Sequence, residues 1–533
     1  MAMKKFGAVA VCLAFTTPAF AEAPAKEKEV WITIGADALE PARASFKAQG
    51  LELPAVAREK AGVAALRVRE SQLEKLAEAI HDKLNRCAGF ISHETEEQAL
   101  KAVEGPSAAQ AIGTTAVLNY TINNGASVNA MLAGVQELNI RNTINSLSTN
   151  WTTRRYNVQS GIDAANWLKT QWTTIANGRT DVSVALFTHP STVSPQPSVI
   201  ATITGSTHPN EVVVIGGHLD SINGSGSTAA APGADDDASG VASLTEVFRV
   251  AIANGYKPAR TVRFMAYAAE EIGLKGSQAI ANSYASSGVN VVGVLQLDMT
   301  NYKGSTYDFG MVTDNTNATL NTHTTNLIST YLPGLTWTNI TCGYGCSDHA
   351  SWTSAGYPAT MPFEATMSTD NPQIHTTGDT LTFMGGTATN SVKFAKLGVA
   401  FMGEVAKGAT TGNTPPPVND GTTTPPPTGT VLTSGVATAA YSGATGSWKC
   451  WTLSVPTGKT SVVFNQAGLS GTTGDADLYV RFNAAPTSSS YNCRPYLSGS
   501  TETCTINSPS AGTWHACSYG YSGYSNVTMK GTY

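Results

Sequence analysis

Three segments of the chain are apolar along nearly their whole length and stop abruptly at charged residues. They are "EVVVIGGHLD" (211–220), "TVRFMAYAAEE" (261–271) and "VVGVLQLDM" (291–299). Between them lie two runs with helical spacing, "ASGVASLTEVFRVAIANG" and "GLKGSQAIANSYASSG", each closed by a glycine. A strand that is apolar on both faces must be covered on both faces. Strands of this kind alternating with helices predict an α/β fold, with a mostly parallel mixed sheet flanked by helices.

The residues that end these strands carry the chemistry. His218 and Asp220 end the first, Glu270 and Glu271 the second, and Asp298 the third. Sites in open α/β sheets form outside the carboxyl ends of the strands, so these side chains are expected at one rim. "PGADDDASG" (232–240) follows the first strand and opens the next helix, which brings Asp235, Asp236 and Asp237 to the same rim. So many carboxylates repel one another and resist burial. A helix N-terminus offsets only about 1–2 kcal/mol of that, whereas divalent cations supply the missing charge. Carboxylate and imidazole donors without thiolate suit Zn²⁺ or a similar first-row ion. Two such ions sharing a carboxylate form a hydrolytic site, and Asp236, the middle aspartate, is the expected bridge.

The rest of the chain is organised around this unit. Its 533 residues are enough for two or three domains. A net charge of −5 leaves no nucleic-acid footprint, and nothing beyond the first segment is apolar for long enough to span a bilayer. "MAMKKFGAVAVCLAFTTPAFA" (1–21) has Lys4 and Lys5, an apolar run and Ala19-Phe20-Ala21. This is the pattern of a cleaved secretory signal, so the chain is expected to be secreted, where disulfides form. Residues 22–106 are far denser in charge than the remainder of the chain. A strand-like "EVWITIGADA" and a helix-like "SQLEKLAEAIHDKL" predict a small α+β unit there, read as a propeptide, with a permanent accessory domain as the alternative. A Pro/Thr/Gly linker, 408–432, separates the central domain (107–407) from a C-terminal domain (433–533). That tail is rich in short alternating strands and is read as a β-sandwich. Its four cysteines allow three pairings. Cys493 with Cys504, a local loop, leaves Cys450 with Cys517. Cys87 has no evident partner.

Six strings bear a family resemblance: "GGHLDS", "APGADDDASG", "AYAAEEIGLKGS", "LQLDMTNYKG", "CGYGCSDHASW" and "NPQIHTTGDT". In order, spacing and identity they resemble the M28 family of dizinc aminopeptidases, in particular the secreted bacterial leucyl aminopeptidases of Vibrio/Aeromonas type. The resemblance covers about residues 115 to 407. "GDADLYV" (474–480) resembles the bacterial pre-peptidase C-terminal (PPC) domain, and 22–106 is similar to the N-terminal propeptide of the same enzymes.

The resemblance implies roles. His218 and Asp298 hold one zinc, Glu271 and His375 the other, and Asp236 bridges both. Glu270 is general acid/base, which requires a bend, because adjacent residues on an extended strand point opposite ways. Asp220 accepts from the second nitrogen of His218. The Asp236–Asp237 peptide bond is cis. Tyr344 donates to the developing oxyanion, with a packed loop tyrosine as the alternative. Cys342 and Cys346, on either side of it, form a disulfide; metal ligation is the alternative for that pair. Met299, Val312, Met361, Phe363, Met367 and Ile374 line an apolar, leucine-type specificity pocket. Asp370 replaces a tyrosine at the pocket mouth. It is expected to face solvent, the alternative being an acidic pocket that favours N-terminal Lys or Arg.

The expected activity is removal of N-terminal residues from peptides with a free amine, with two zincs and the propeptide as inhibitor or folding aid, in a monomer. The runner-up is another metallohydrolase on this fold, such as a carboxypeptidase or an aminoacylase. A non-catalytic scaffold would be expected to have lost ligands or the base, and here the whole set is present.

Overall fold

The computed structural model describes residues 27–84, 89–93, 95–104, 119–226, 228–410, 430–483, 485–486, 491–495, 499–507 and 509–533. The signal segment 1–21, Cys87 and most of the linker lie outside the described residues.

The central sheet has six strands in the order Ala359–Thr360, Asn290–Gln296, His208–His218, Arg260–Tyr267, Ser198–Ile203, Val182–Phe187. The first four run parallel, the fifth runs antiparallel to the fourth, and the sixth antiparallel to the fifth. Side chains alternate between the two faces. Val213 and Ile215 join a cluster with Val241, Leu244, Phe248, Phe394 and Leu397 from the helices Ala238–Ala253 and Thr389–Ala406. Val212 and Val214 join Ile280, Ala281 and Trp352 from the helices Lys275–Ser286 and His349–Ser354 on the opposite face. Both faces are covered, which is why the strands read as continuous apolar runs. Replacing fully buried Phe264 by Ala would cost about 3–5 kcal/mol.

A second sheet, ordered Trp337–Ile340, Phe309–Val312, Pro362–Phe363, stands beside the rim and carries two of the expected pocket residues, Val312 and Phe363. The ladder Gly408–Ala409 against Lys257–Pro258 continues the central unit past the expected boundary at 407. Thr430–Val431 already pairs with the C-terminal domain, so the span between the two is shorter than 408–432.

The N-terminal unit is α+β. Its antiparallel sheet is ordered Val56–Lys60, Val63–Arg69, Glu29–Gly35, Phe90–His93. The helices Leu39–Ala48 and Leu73–Leu84 supply Phe46, Leu73, Leu76 and Ile80 to its core. It docks on the central domain through Phe90–His93. Ser92 N donates to Gly273 O at 3.1 Å and Gln278 Nε2 donates to Ser92 O at 2.5 Å. Glu74 pairs with Arg155 at 2.7 Å and Glu70 with Lys275 at 2.9 Å.

The C-terminal domain has two four-stranded sheets packed over Trp451, Leu453, Phe464, Leu478, Val480 and Trp514. The disulfides Cys450–Cys517 and Cys493–Cys504 pair as expected. No helix among the described residues is long and apolar enough to cross a membrane.

Candidate metal centre and active site

The parallel strands deliver their ends to one rim. His218 is the last residue of its strand, in register with Tyr267 on the next. Asp298 stands two residues beyond Asn290–Gln296, and Glu270 and Glu271 stand just beyond Arg260–Tyr267. Ala269 turns the chain out of the strand with φ 56°, and Glu270 O then accepts from Gly273 N and Leu274 N. That is the bend through which neighbouring glutamates reach one site. Met299 (φ 53°) and His375 (φ 54°) are also left-handed. Three non-glycine residues in a disfavoured conformation around one rim mark it as a place where geometry outweighs local preference.

The residues expected as ligands fall into two overlapping triads, His218–Asp236–Asp298 and Asp236–Glu271–His375, with donor atoms within 4.8 Å of one another in each. All five are buried. Asp236 belongs to both: its Oδ1 is 2.9 Å from His218 Nε2 and its Oδ2 is 3.1 Å from His375 Nε2. His375 Nε2 lies 2.7 Å from Glu271 Oε2, and His218 Nε2 lies 3.5 Å from Asp298 Oδ1. The peptide bond between Asp236 and Asp237 is cis.

The other carboxylates hold the backbone that carries these residues. Asp379 takes the amides of Asp235 (3.0 Å to Oδ1) and Asp236 (3.1 Å to Oδ2). Asp237 caps the helix Ala238–Ala253 through Gly240 N at 2.8 Å, and also takes His218 N at 2.9 Å and Met299 N at 3.2 Å. Asp235 takes Asn301 N at 3.0 Å. Asp220 lies against the second nitrogen of His218, its backbone nearer than its side chain. The nearest acceptor to His218 Nδ1 is the carbonyl of Asp220, at 3.1 Å, with the carboxylate at 3.6 Å. The Asp220 carboxylate also accepts the amides of Glu270 (3.0 Å) and Glu271 (3.3 Å), which fixes the bend.

Several partners escaped the sequence reading. Buried Arg154 donates to the carbonyls of Leu147, Leu219, Pro232 and Gly233 and so ties the loops on both sides of Asp236. Ser347 Oγ donates to Asp298 Oδ2 at 2.5 Å, and Gln296 Nε2 donates to Ser347 Oγ and Asp348 Oδ2, both at 3.1 Å. Ser347 and Asp348 lie inside "CGYGCSDHASW" and Asp379 inside "NPQIHTTGDT", so those strings held a signal. Arg154 had none.

The electrostatics describe a site short of positive charge. Burial, then the charge of Asp236, pushes Glu271 up to about 7. Burial, then Asp235, pushes Asp379 up to about 8. Burial opposes a charged His375, yet Glu271 and Asp236 carry it up to about 10. Among the described residues, both oxygens of Glu270, Oε1 of Glu271 and Oδ1 of Asp298 are buried without a hydrogen-bond partner. Orphaned carboxylate oxygens grouped with two imidazoles, and no thiolate among them, fit a hard or borderline dication.

Beside Asp298 a pocket opens, lined by Met299, Val312, Cys342, Tyr344, Cys346, Met361, Phe363, Met367 and Asp370. Ile374 packs against this wall from behind. Cys342 and Cys346 are joined in a disulfide, and Asp314 takes the amides of Cys342 and Gly343 at 2.9 and 2.8 Å, which holds the loop. Asp370 does not face solvent: it is 8 % exposed and turned into the pocket.

Residues 198–413 match Peptidase family M28, and residues 449–520 match the bacterial pre-peptidase C-terminal domain. The chain is 39 % identical over 305 residues to leucine aminopeptidase 1 of Arthroderma otae, a match covering 54 % of this chain and 79 % of that protein. The chain belongs to peptidase family M28. Leucine aminopeptidase 1 of Trichophyton rubrum is 38 % identical over 302 residues, with the same coverage. Among solved structures the LapA aminopeptidase of Legionella pneumophila matches with TM-score 0.60 and 28 % identity over 72 % of this chain and 99 % of that one. LapB from the same organism matches with TM-score 0.58 and 27 % identity over 71 % and 100 %. This M28 member is therefore a metal-dependent aminopeptidase acting on peptides, and the family implies zinc.

Proposed function

We propose that the chain is a secreted aminopeptidase that holds two zinc ions and removes N-terminal residues, whose side chains enter a pocket with a largely apolar wall. The observation that carries this reading is Asp236, shared by two buried triads with one oxygen toward each histidine. His218, Asp236 and Asp298 would hold one ion, and Asp236, Glu271 and His375 the other. Zinc there would supply the Lewis acidity that lowers the pKa of water and polarises a peptide carbonyl.

The chain's own groups do the rest. The Glu270 carboxylate accepts the proton of the attacking water and passes it to the leaving nitrogen. Burial above all lifts its pKa well over the ordinary carboxyl value, the direction a proton carrier near neutrality needs. Tyr344, in the pocket wall, would donate to the carbonyl oxygen as charge develops on it. Met299, Met361, Phe363 and Met367 exclude water and receive the N-terminal side chain. The free amine would sit beside the metal ligands, which confines cleavage to chain ends. Residues 1–21 would direct export. The unit 22–106, docked at Gly273 and Lys275 just beyond Glu270 and Glu271, would act as a propeptide that restrains the rim or aids folding.

The test is hydrolysis of leucine p-nitroanilide with a free and with an acetylated N-terminus, before and after chelation, with zinc added back. Cleavage of the free form alone, lost on chelation and restored with two zincs per chain, is the expected result. Cleavage of the acetylated form would assign the rim to a different amide hydrolysis.

A further inference from the structure

The pocket beside the metal ligands holds about 330 Å³ of empty space, part of it open to solvent. Apart from Asp298, a ligand candidate, and Tyr344, its wall is made of aliphatic, sulfur-containing and aromatic groups, with one exception. Asp370 is buried in that wall, and among the described residues its carboxyl accepts a hydrogen bond only from its own backbone. Among the described residues it makes no ion pair. The nearby loop 303–304 runs against the carbonyl of Thr369, but Lys303 is held by Asp308 at 3.2 Å. Lys393 Nζ lies 3.7 Å from the same aspartate. Asp370 is thus a buried acid in the pocket wall with no cation paired to it among the described residues. Burial pushes Asp370 up to about 7, and the negative charges of Asp235 and Asp236 add to it. A buried acid of this kind is stabilised by a cation brought from outside.

We infer that Asp370 makes this pocket a receptor for long basic side chains, so that peptides beginning with lysine or arginine are substrates selected by charge; this rests on the aminopeptidase reading above. The apolar wall accepts the aliphatic stem, as such stems pack on apolar surface while the charged tip seeks a polar partner. Asp370 receives the tip. A guanidinium can bind the carboxylate through two parallel hydrogen bonds, an ammonium through one.

The test compares N-terminal lysine with norleucine, which has the same stem without the amine. The p-nitroanilides of both are assayed on the zinc-loaded chain as it is secreted, with free and acetylated leucine p-nitroanilide as controls. The wild type is expected to favour lysine over norleucine by about tenfold or more in kcat/KM, and Asp370→Asn to lower that ratio by about tenfold. Lysinol and norleucinol binding by calorimetry should show the same order and the same loss. An unchanged ratio in Asp370→Asn overturns the inference. Equal losses on both substrates also overturn it, because Asp370 would then hold the α-amine common to both. If free leucine p-nitroanilide is not cleaved, or the acetylated form is, the aminopeptidase reading itself fails; a low lysine ratio beside normal cleavage of free leucine leaves that reading standing and removes only the role of Asp370.

Discussion

The side chain of Ile91 fills the space that a β-carbon on Gly345 would occupy. Ile91 belongs to the N-terminal strand Phe90–His93, and Gly345 sits between Tyr344 and Cys346 in the pocket wall. The two units are therefore keyed together at the loop that shapes substrate binding, with Leu274 and Ala350 completing the contact. Gly345→Ala in the full chain is expected to cost about 1–3 kcal/mol, because the added methyl has no space. In an Ile91→Ala background that cost should largely vanish, a coupling of about 0.5–3 kcal/mol. Denaturant unfolding of the four chains measures it, and strictly additive costs would show that the units do not meet there.

Asp220 grips two consecutive amides, those of Glu270 and Glu271. Asparagine keeps the shape but offers one acceptor, so its amide group must face a buried N–H. One orphaned donor costs about 1–3 kcal/mol. The bend that aims both glutamates should loosen as well, lowering kcat/KM about 10–100-fold, the usual scale for groups behind metal ligands. Wild-type kcat/KM in Asp220→Asn would mean that the bend is held by other contacts.

The parallel sheet and its rim were legible because burial on both faces leaves a continuous apolar signature and because strand ends converge by topology. His218, Glu270, Glu271 and Asp298 followed from that alone. His375 did not: it lies in an irregular segment with no periodicity, and only its surrounding string marked it. Asp370 was expected in solvent because aspartate usually is. Its burial is made by pocket and loop residues distant in sequence, which no local pattern encodes. Arg154 is the extreme case, since all four of its acceptors are backbone carbonyls, three of them more than 60 residues away.

His93, at the end of the docking strand, is buried against Thr33, whose Oγ1 is 2.9 Å from its Nε2. Burial pushes its pKa down to about 4 from 6.5. The folded chain thus keeps His93 neutral where the unfolded chain is protonated. Its contribution to stability is complete above pH 6.5 and is lost as pH falls from 6.5 to about 4, a span worth at most ~3 kcal/mol. Unfolding midpoints at pH 7.5 and 5 should differ less in His93→Gln than in the wild type. An equal pH dependence in both would show that His93 is not the group that titrates.

Glu270 and Glu271 are adjacent and equally buried, yet they are proposed to do different work, and substitution separates them. Glu271 Oε2 stands 2.7 Å from the His375 imidazole, whereas among the described residues the Glu270 carboxyl is in no ion pair. Glu270→Gln keeps size and polarity but cannot accept the proton of water. Its kcat should fall about 10²–10⁴-fold, with zinc content unchanged and KM little altered. Glu271→Gln should instead lose metal together with activity. The wild-type rate should rise with pH as the Glu270 carboxyl gives up its proton, since the base acts only when ionised, and that rising limb should be missing from the residual activity of Glu270→Gln. Zinc per chain, measured beside kcat for both variants, decides the assignment: if Glu270→Gln lost its zinc, Glu270 would be a ligand, and the proton would have to be carried by another group.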